Sequence, residues 1–302
     1  MLFLYFEVPS PYTIRAFFTL IFNIAKELKV LNKIPETIKP LLHDYIKAIE
    51  QHFQNDILIG TYLYGSISLG GFDENKSDID FVTVLKRELS QQEENALKAI
   101  HKELNLHSLG RRMDGIYIPI NGLGKNNQDL SPYVYCSNGK IKKGYWDVNA
   151  VTWWVIEQYG IKVYGKEVSD LNISSQWSKV IENMEYNINS YWIKKSKNAF
   201  VFIFDDMIEF CVLTISRILG TLENKKILTK MEGVNKTQII LPKRWHLLLK
   251  EGLRLRNDPK SPSLYSSRFK RAKECRKFLT FSHNLCNEKY FNEVKTKNNK
   301  FV

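Results

Sequence analysis

The spacing of apolar residues in the first half of the chain predicts helices and strands in turn. Residues 35–53 carry apolar side chains at helical spacing, among them Leu41 and Tyr45. Two runs rich in β-branched and aromatic residues, 57–64 and 81–85, predict strands. The same reasoning predicts a helix over 90–104 that starts with a capping box, a strand over 113–120, a helix over 145–159 and a short strand over 161–163.

The second half of the chain changes to the period of helices alone. Predicted helices cover residues 175–197, 201–222, 240–257 and 265–286. Successive helices of this kind pack as a bundle. The pattern therefore predicts an α+β protein with three parts: an N-terminal helical extension (1–34), a domain with a sheet (35–168) and a helical bundle domain (169–302).

Candidate chemistry lies between the first two predicted strands. Gly65 and Ser66 follow the first strand, and Asp78 and Asp80 lie at the start of the second. Side chains at i and i+2 of a strand share a face, so the two carboxylates point together and Ile79 points away. Such a pair repels itself unless a cation lies between the two groups, and oxygen ligands suit Mg²⁺. Because a glycine-serine turn can bind phosphate, the segment predicts phosphoryl-transfer chemistry.

The Gly-Ser pair at 65–66, the glycines at 70–71 and the Ser-Asp-Ile-Asp sequence at 77–80 together resemble the signature of the DNA polymerase β-like nucleotidyltransferase superfamily. At closer range the chain is similar to the aminoglycoside 3″/9 adenylyltransferases, which inactivate streptomycin and spectinomycin. The similarity extends to residues 212–218 and to Lys230. The resemblance implies a polymerase β-like nucleotidyltransferase domain, with a small mixed sheet and flanking helices, followed by a helical bundle domain. Ligands would bind in the cleft between the two.

The resemblance also implies a role for each matching residue. Asp78 and Asp80 would bind the Mg²⁺ ion that bridges the phosphates of ATP, the co-substrate. Asp114, at the start of the third strand, would be a third metal ligand and a catalytic residue. It would act either as the base that takes the acceptor's proton or chiefly as a ligand of a second metal. The implied nucleotide contacts are Gly65, Ser66, Ser77, Arg217 and Lys230.

The acceptor positions depart from this family. The family has a tryptophan in the loop after the third strand, where this chain offers two tyrosines. It also has polar residues on the helix before Arg217, where this chain has Met207 and Phe210. Acids nearby would suit a cationic acceptor. The expected acceptor contacts are Tyr133, Tyr135, Asp205, Asp206 and Glu209.

Composition adds limits to this interpretation. The chain has 302 residues, of which 44% are hydrophobic and 25% charged, as in an ordinary globular protein. Its 44 basic and 32 acidic residues give a net charge of +12, which suits an anionic ligand such as a nucleotide. Its four cysteines lie far apart and form no zinc or disulfide motif, which predicts a reducing, cytoplasmic location.

Two further segments have an interpretation from their pattern. The apolar N-terminus is interrupted by Glu7 and Arg15 and has no basic leader, so we expect a helix over 10–28 that packs on the core, without a membrane span or signal peptide. The basic cluster at 268–277 predicts a solvated helix face with Phe269 and Cys275 turned inward.

The function expected from the sequence is Mg²⁺-dependent transfer of AMP from ATP to a hydroxyl of a small, cationic aminoglycoside or aminocyclitol, by a monomer. An alternative is a nucleotidyltransferase that acts on a protein or RNA. The positive net charge of the chain suits that alternative, although the sequence has no RNA-recognition motif. A non-catalytic protein on the same fold is disfavoured because all three acids are present.

Overall fold

A mixed six-stranded sheet forms the first half of the computed structural model, which describes residues 33–53, 57–146 and 148–292. The two central strands are parallel and all other neighbours are antiparallel. The spatial order is β5-β4-β3-β2-β1-β6. The strands are β1 (Leu58–Leu63), β2 (Ile79–Leu85), β3 (Met113–Pro119), β4 (Tyr133–Ser137), β5 (Lys140–Gly144) and β6 (Ile161–Gly165).

Helices cover both faces of the sheet. On one face, α1 (Lys39–His52) and α3 (Gln91–Leu104) pack against side chains such as Ile79 and Phe81. On the other face, α4 (Ala150–Tyr159) packs against Val82 and Ile116. A single helical turn, α2 (Gly65–Ser68), follows β1 directly. Because side chains alternate along a strand, Asp80 and Asp114 emerge on the face that α4 covers.

The second half is helical, as predicted. Its helices are α5 (Trp177–Tyr186), α6 (Ile193–Ser196), α7 (Asp205–Asn224), α8 (Lys230–Ile240), α9 (His246–Asn257) and α10 (Arg268–Cys286). The long helix α7 is central, since it packs against α8, α9 and α10. Its buried face joins Trp192, Leu219 and Phe278 in one apolar core. The fold class is therefore the α+β fold expected from the sequence.

Several elements differ from the prediction. The helix predicted over 145–159 begins only at Ala150, because the side chain of Asn149 caps its first turn. Tyr133 and Tyr135, expected in a loop, lie on the first strand of the β4–β5 hairpin, which residues 133–144 form. Its turn at Asn138 and Gly139 has φ values of 52° and 67°, which fit the Asn-Gly turn that matches strand twist. The helix predicted over 240–257 begins only at His246, because Pro242 follows the end of the unpredicted helix α8.

The basic cluster on α10 buries Cys275 as predicted, but it differs from the prediction at Phe269 and Arg271. Phe269 is 72% exposed, whereas Arg271 is 1% exposed. Arg271 is buried because it donates to the fully buried carboxylate of Glu251 at 2.9 Å, and it also bonds Asp205. A buried carboxylate needs such a partner, and this one also accepts from Arg254, Ser263 and Leu264.

The remaining predictions concern the termini and the cysteines. All four cysteines are buried and unbridged. No helix in the described ranges is long and apolar enough to cross a membrane. The predicted helix over 10–28 lies outside the described residues. The predicted boundary at 168/169 falls at a short 3₁₀ turn, Val168–Leu171, and stays a prediction.

Candidate active site

Three carboxylates meet at the start of the two parallel strands. Asp80 on β2 is paired in register with Asp114 on β3, and Asp78 immediately precedes β2. The three side chains interact electrostatically, because Asp78 and Asp114 both disfavour ionisation of Asp80. The structure therefore brings together the three acids that the sequence analysis selected.

Asp80 is the most perturbed of these acids. Burial, followed by the negative charges of Asp78 and Asp114, raises its pKa to about 7. The backbone N–H of Ser66 and the charge of Arg217 oppose this shift without cancelling it. Burial and the two neighbouring negative charges thus disfavour the ionised carboxylate, which a bound cation would stabilise.

Gly65 and Ser66 hold this carboxylate from the end of β1. Gly65 has a φ of +62°, and a Cβ atom there would lie 2.0 Å from Oδ2 of Asp80, so no larger residue fits. The N–H of Ser66 donates to Asp80 rather than pointing at a separate anion site. The Ser66 hydroxyl is buried and has no partner among the described residues. This orphan hydroxyl is the group that suits a ligand oxygen.

Asp114 is oriented by the β4–β5 turn. The N–H of Asn138 donates to Oδ1 of Asp114 at 2.6 Å. Burial raises the pKa of Asp114, the Asn138 bond opposes this, and Asp78 adds to it. The strand register places Tyr135 and Lys142 on the same sheet face as Asp114.

Ser77 has a local role in the structure. Its hydroxyl accepts from the N–H of Asp73 at 3.0 Å, and its own N–H donates to the Asp73 carbonyl at 2.8 Å. Ser77 therefore closes the loop 73–77, directly before Asp78. The nucleotide contact expected of Ser77 stays a prediction.

Two cations face the acids from the helical half. Arg217 lies on α7, and Lys230 is the first residue of α8. The two helices cross closely, because a Cβ on Gly233 would lie only 2.5 Å from Cα of Arg217. Burial and the charges of Arg217 and Arg256 lower the pKa of Lys230, against an opposing effect of Asp78 among others. The charge of Lys230 thus interacts both with the two arginines and with Asp78.

The two halves touch beside the site. A Cβ on Gly71 would lie 2.8 Å from Cγ2 of Thr229, the N-cap of α8. Lys76 donates to the Leu255 carbonyl at 3.3 Å, at the end of α9. Close contact at both points fixes the position of the acids relative to the helical cations.

The predicted acceptor residues fall into two separate groups. The hydroxyl of Tyr133 is used internally, since it bonds Asn127 at 2.8 Å and accepts the N–H of Trp146 at 2.8 Å. Tyr135 stacks on the Trp146 ring, with centroids 5.1 Å apart and planes 14° apart. Both tyrosines lie on β4 and not in a loop.

The three predicted acids of α7 have different environments. Asp205 pairs with the buried Arg271, and the acceptor contact expected of it stays a prediction. Asp206 is exposed and accepts the N–H of Met207 at 2.8 Å. Glu209 pairs with Arg256 at 3.3 Å and acts on Lys230. Of the three, Glu209 is the one tied to the cations that face the site.

Sequence reasoning missed four residues around the site: Arg112, Asn138, Trp146 and Arg256. The Asn138-Gly139 pair is a recognised hairpin signal and could have revealed the β4–β5 turn. The partners of Arg112 lie 35 to 39 positions earlier in the chain, a contact that no local pattern predicts.

The acids suit a magnesium ion only together with a ligand. In the part of the chain that the structure describes, no group of three or more His, Cys, Asp and Glu side chains could hold a metal alone. Mg²⁺ is usually bound by one or two carboxylates with phosphate and water oxygens. Asp78 and Asp80 provide that pair, and a bound cation would offset both the burial and the neighbouring negative charges that raise the pKa of Asp80. These residues therefore fit Mg²⁺ bound with a nucleotide.

Comparison with known proteins gives the same class. The family model of the nucleotidyltransferase domain matches residues 42–134, a range that includes all three acids. The chain thus contains a nucleotidyltransferase domain, the domain of a transferase enzyme. No curated protein matches the sequence.

A solved structure of similar fold extends the comparison to the helical half. It is spectinomycin adenyltransferase AAD(9) from Enterococcus faecialis, crystallised with ATP and spectinomycin. The TM-score is 0.57 at 17% sequence identity, over 80% of this chain and 98% of that chain. This chain therefore shares the fold of that protein over both halves.

Proposed function

We propose that this chain is a Mg²⁺-dependent adenylyltransferase that moves AMP from ATP to a hydroxyl of an aminocyclitol or aminoglycoside of the spectinomycin or streptomycin type. One observation carries the proposal. Asp80 and Asp114 lie side by side on parallel strands next to Asp78, and Arg217 and Lys230 face them from the helical half. Acids for a metal and cations for phosphates on opposite walls are what nucleotidyl transfer requires.

The reaction needs few groups from the chain. The acceptor oxygen forms a bond to the α-phosphorus of ATP, the bond from that phosphorus to the bridging oxygen of the β-phosphate breaks, and pyrophosphate leaves. Asp114 accepts the acceptor's proton, and the Asn138 N–H keeps its carboxylate oriented. Arg217 and Lys230 bind the triphosphate and offset the charge that builds up on pyrophosphate.

Asp78 and Asp80 would hold the magnesium ion. When bound, Mg²⁺ neutralises phosphate oxygens and lowers the pKa of nearby oxygen ligands. The buried hydroxyl of Ser66 donates to a phosphate oxygen, which would provide the partner it lacks in the protein.

The acceptor would bind between the sheet and α7. Tyr135, stacked on Trp146, gives a flat apolar wall on the face that carries Asp114. The exposed Asp206 on α7 supplies negative charge for ammonium groups of a cationic acceptor, and Glu209 adds a carboxylate that it shares with Arg256. Lys142 lies on the same face as Asp114, and its positive charge disfavours an ammonium group of the acceptor directly beside Asp114.

An acceptor panel tests this function. The protein would be incubated with ATP, Mg²⁺ and spectinomycin, streptomycin or other aminoglycosides, and pyrophosphate release and the acceptor mass would be followed. The expected result is release with at least one of these compounds and a mass gain of one adenylyl group. Labelled protein or RNA without any labelled drug would contradict the proposed acceptor and support a macromolecular one.

A further inference from the structure

The loop that leads into Asp78 is held by one arginine. The guanidinium of Arg112 donates to the carbonyls of Asp73, at 3.2 Å, and of Glu74 and Ser77. The loop 73–77 is closed internally by the Asp73–Ser77 hydrogen bonds. Arg112 therefore binds a compact unit and not a loose strand of backbone.

Arg112 also belongs to the strand that carries Asp114. It ends the 3₁₀ turn Gly110–Arg112 that leads into β3, two residues before Asp114. The turn is packed tightly on the end of α3, since a Cβ on Gly110 would lie 1.8 Å from the Leu104 carbonyl oxygen. The guanidinium thus links a fixed point beside Asp114 to the loop that ends at Asp78.

We propose that Arg112 is a positioning residue that sets Asp78 relative to Asp80 and Asp114 for metal and nucleotide binding. The inference rests on the proposed function. A planar guanidinium has five donors in a fixed fork and can serve three carbonyls at once, whereas a lysine ammonium is a single flexible point charge. Arginine is therefore required at position 112, and lysine does not replace it.

Other contacts of the loop do not take over this role. Thr37 bonds the Glu74 side chain at 2.9 Å, which leaves the loop backbone unconstrained. Lys76 and Asp73 bind the end of α9, so they tie the loop to the helical half and not to the strand of Asp114. Among the described residues, Arg112 is the link between the backbone before Asp78 and β3.

The test compares Arg112→Lys with Arg111→Lys. Arg111 is the exposed neighbour in the same turn, so its variant controls for charge and position. Mn²⁺ binding in the presence of ATP would be measured by electron paramagnetic resonance, and amide hydrogen exchange would be followed over residues 73–78. Thermal unfolding would report the stability of each variant.

R112K should weaken Mn²⁺ binding about 10- to 100-fold, the range for partners that orient metal ligands. Exchange over residues 73–78 should accelerate in the same variant, while R111K should match the unmodified protein in both. Unchanged Mn²⁺ affinity in R112K, even with a lowered melting temperature, would overturn the positioning role alone. Failure of the unmodified protein to bind Mn²⁺ with ATP would overturn both this role and the proposed function.

Discussion

Replacing Asp80 with asparagine should stabilise the metal-free protein and abolish transfer. In the absence of metal, the fold raises the pKa of Asp80 from an ordinary value of 3.8 to about 7. An acid with a raised pKa in the folded state costs stability wherever it must ionise. Each pKa unit corresponds to about 1.4 kcal/mol, so the cost at pH 8 reaches about 4 kcal/mol. Asparagine keeps the oxygen that accepts from Ser66 and removes the charge.

The pH dependence follows from the same shift. Between about pH 4 and about pH 7 the folded state holds a proton on Asp80 that the unfolded state releases, so the free energy of unfolding falls as the pH rises. Below about pH 4 both states are protonated and the cost vanishes. The advantage of Asp80→Asn should therefore be small at low pH and greatest at pH 8.

Urea unfolding in the presence of EDTA, followed by circular dichroism, measures this difference. Asp129→Asn is the matched control, because it removes one exposed carboxylate elsewhere in the same domain. The reasoning would be refuted if Asp80→Asn were no more stable than the unmodified protein at pH 8, or if the difference did not change with pH.

Two other perturbations test the packing of the helical half. Glu251→Gln, which removes the buried charge partner of Arg271 and leaves it the half-exposed Asp205, should lower the free energy of unfolding in urea by about 3–5 kcal/mol. Burial opposes the ionisation of Glu251, but the hydrogen bonds that it accepts lower its pKa to about 2. The stability that the ionised Glu251 contributes should therefore disappear as the pH falls from about 4.5 to about 2. Gly233→Ala should push α8 from Arg217, cost about 1–3 kcal/mol and raise the KM for ATP. Gly70→Ala is the control, because Gly70 has a φ of +74° and open space around it. It should cost about 1–2 kcal/mol of strain without changing the KM for ATP. Equal KM values for both glycine variants would contradict the close helix contact.

Local pattern was sufficient where the chain itself carries the signal. The alternation along the second strand predicts that Ile79 points away from the acids, and the structure packs Ile79 in the core on the opposite face from Asp80. The capping box of Ser90 and Glu93 predicts the start of α3 to the residue. These features depend on neighbours within a few positions, so the sequence displays them directly.

Contacts between distant segments were not predictable in the same way. Arg271 looks like a solvated base on a basic helix, yet it is buried because Glu251, 20 positions away, needs a partner. Asp205 pairs with that same arginine, a contact that the sequence does not predict, and its role toward the acceptor stays a prediction. Arg112 has no local pattern that marks it, since its role depends on how the loop 73–77 folds against β3.

The fate of the phosphates of ATP tests the central claim most directly. The protein and its Asp78→Asn variant would be incubated with Mg²⁺, spectinomycin or streptomycin, and ATP labelled at the α- or the γ-phosphate. The account predicts α-label on the acceptor, γ-label in pyrophosphate, and loss of both products in the variant. Transfer of the γ-label to the acceptor, or unchanged α-label transfer by Asp78→Asn, would contradict it.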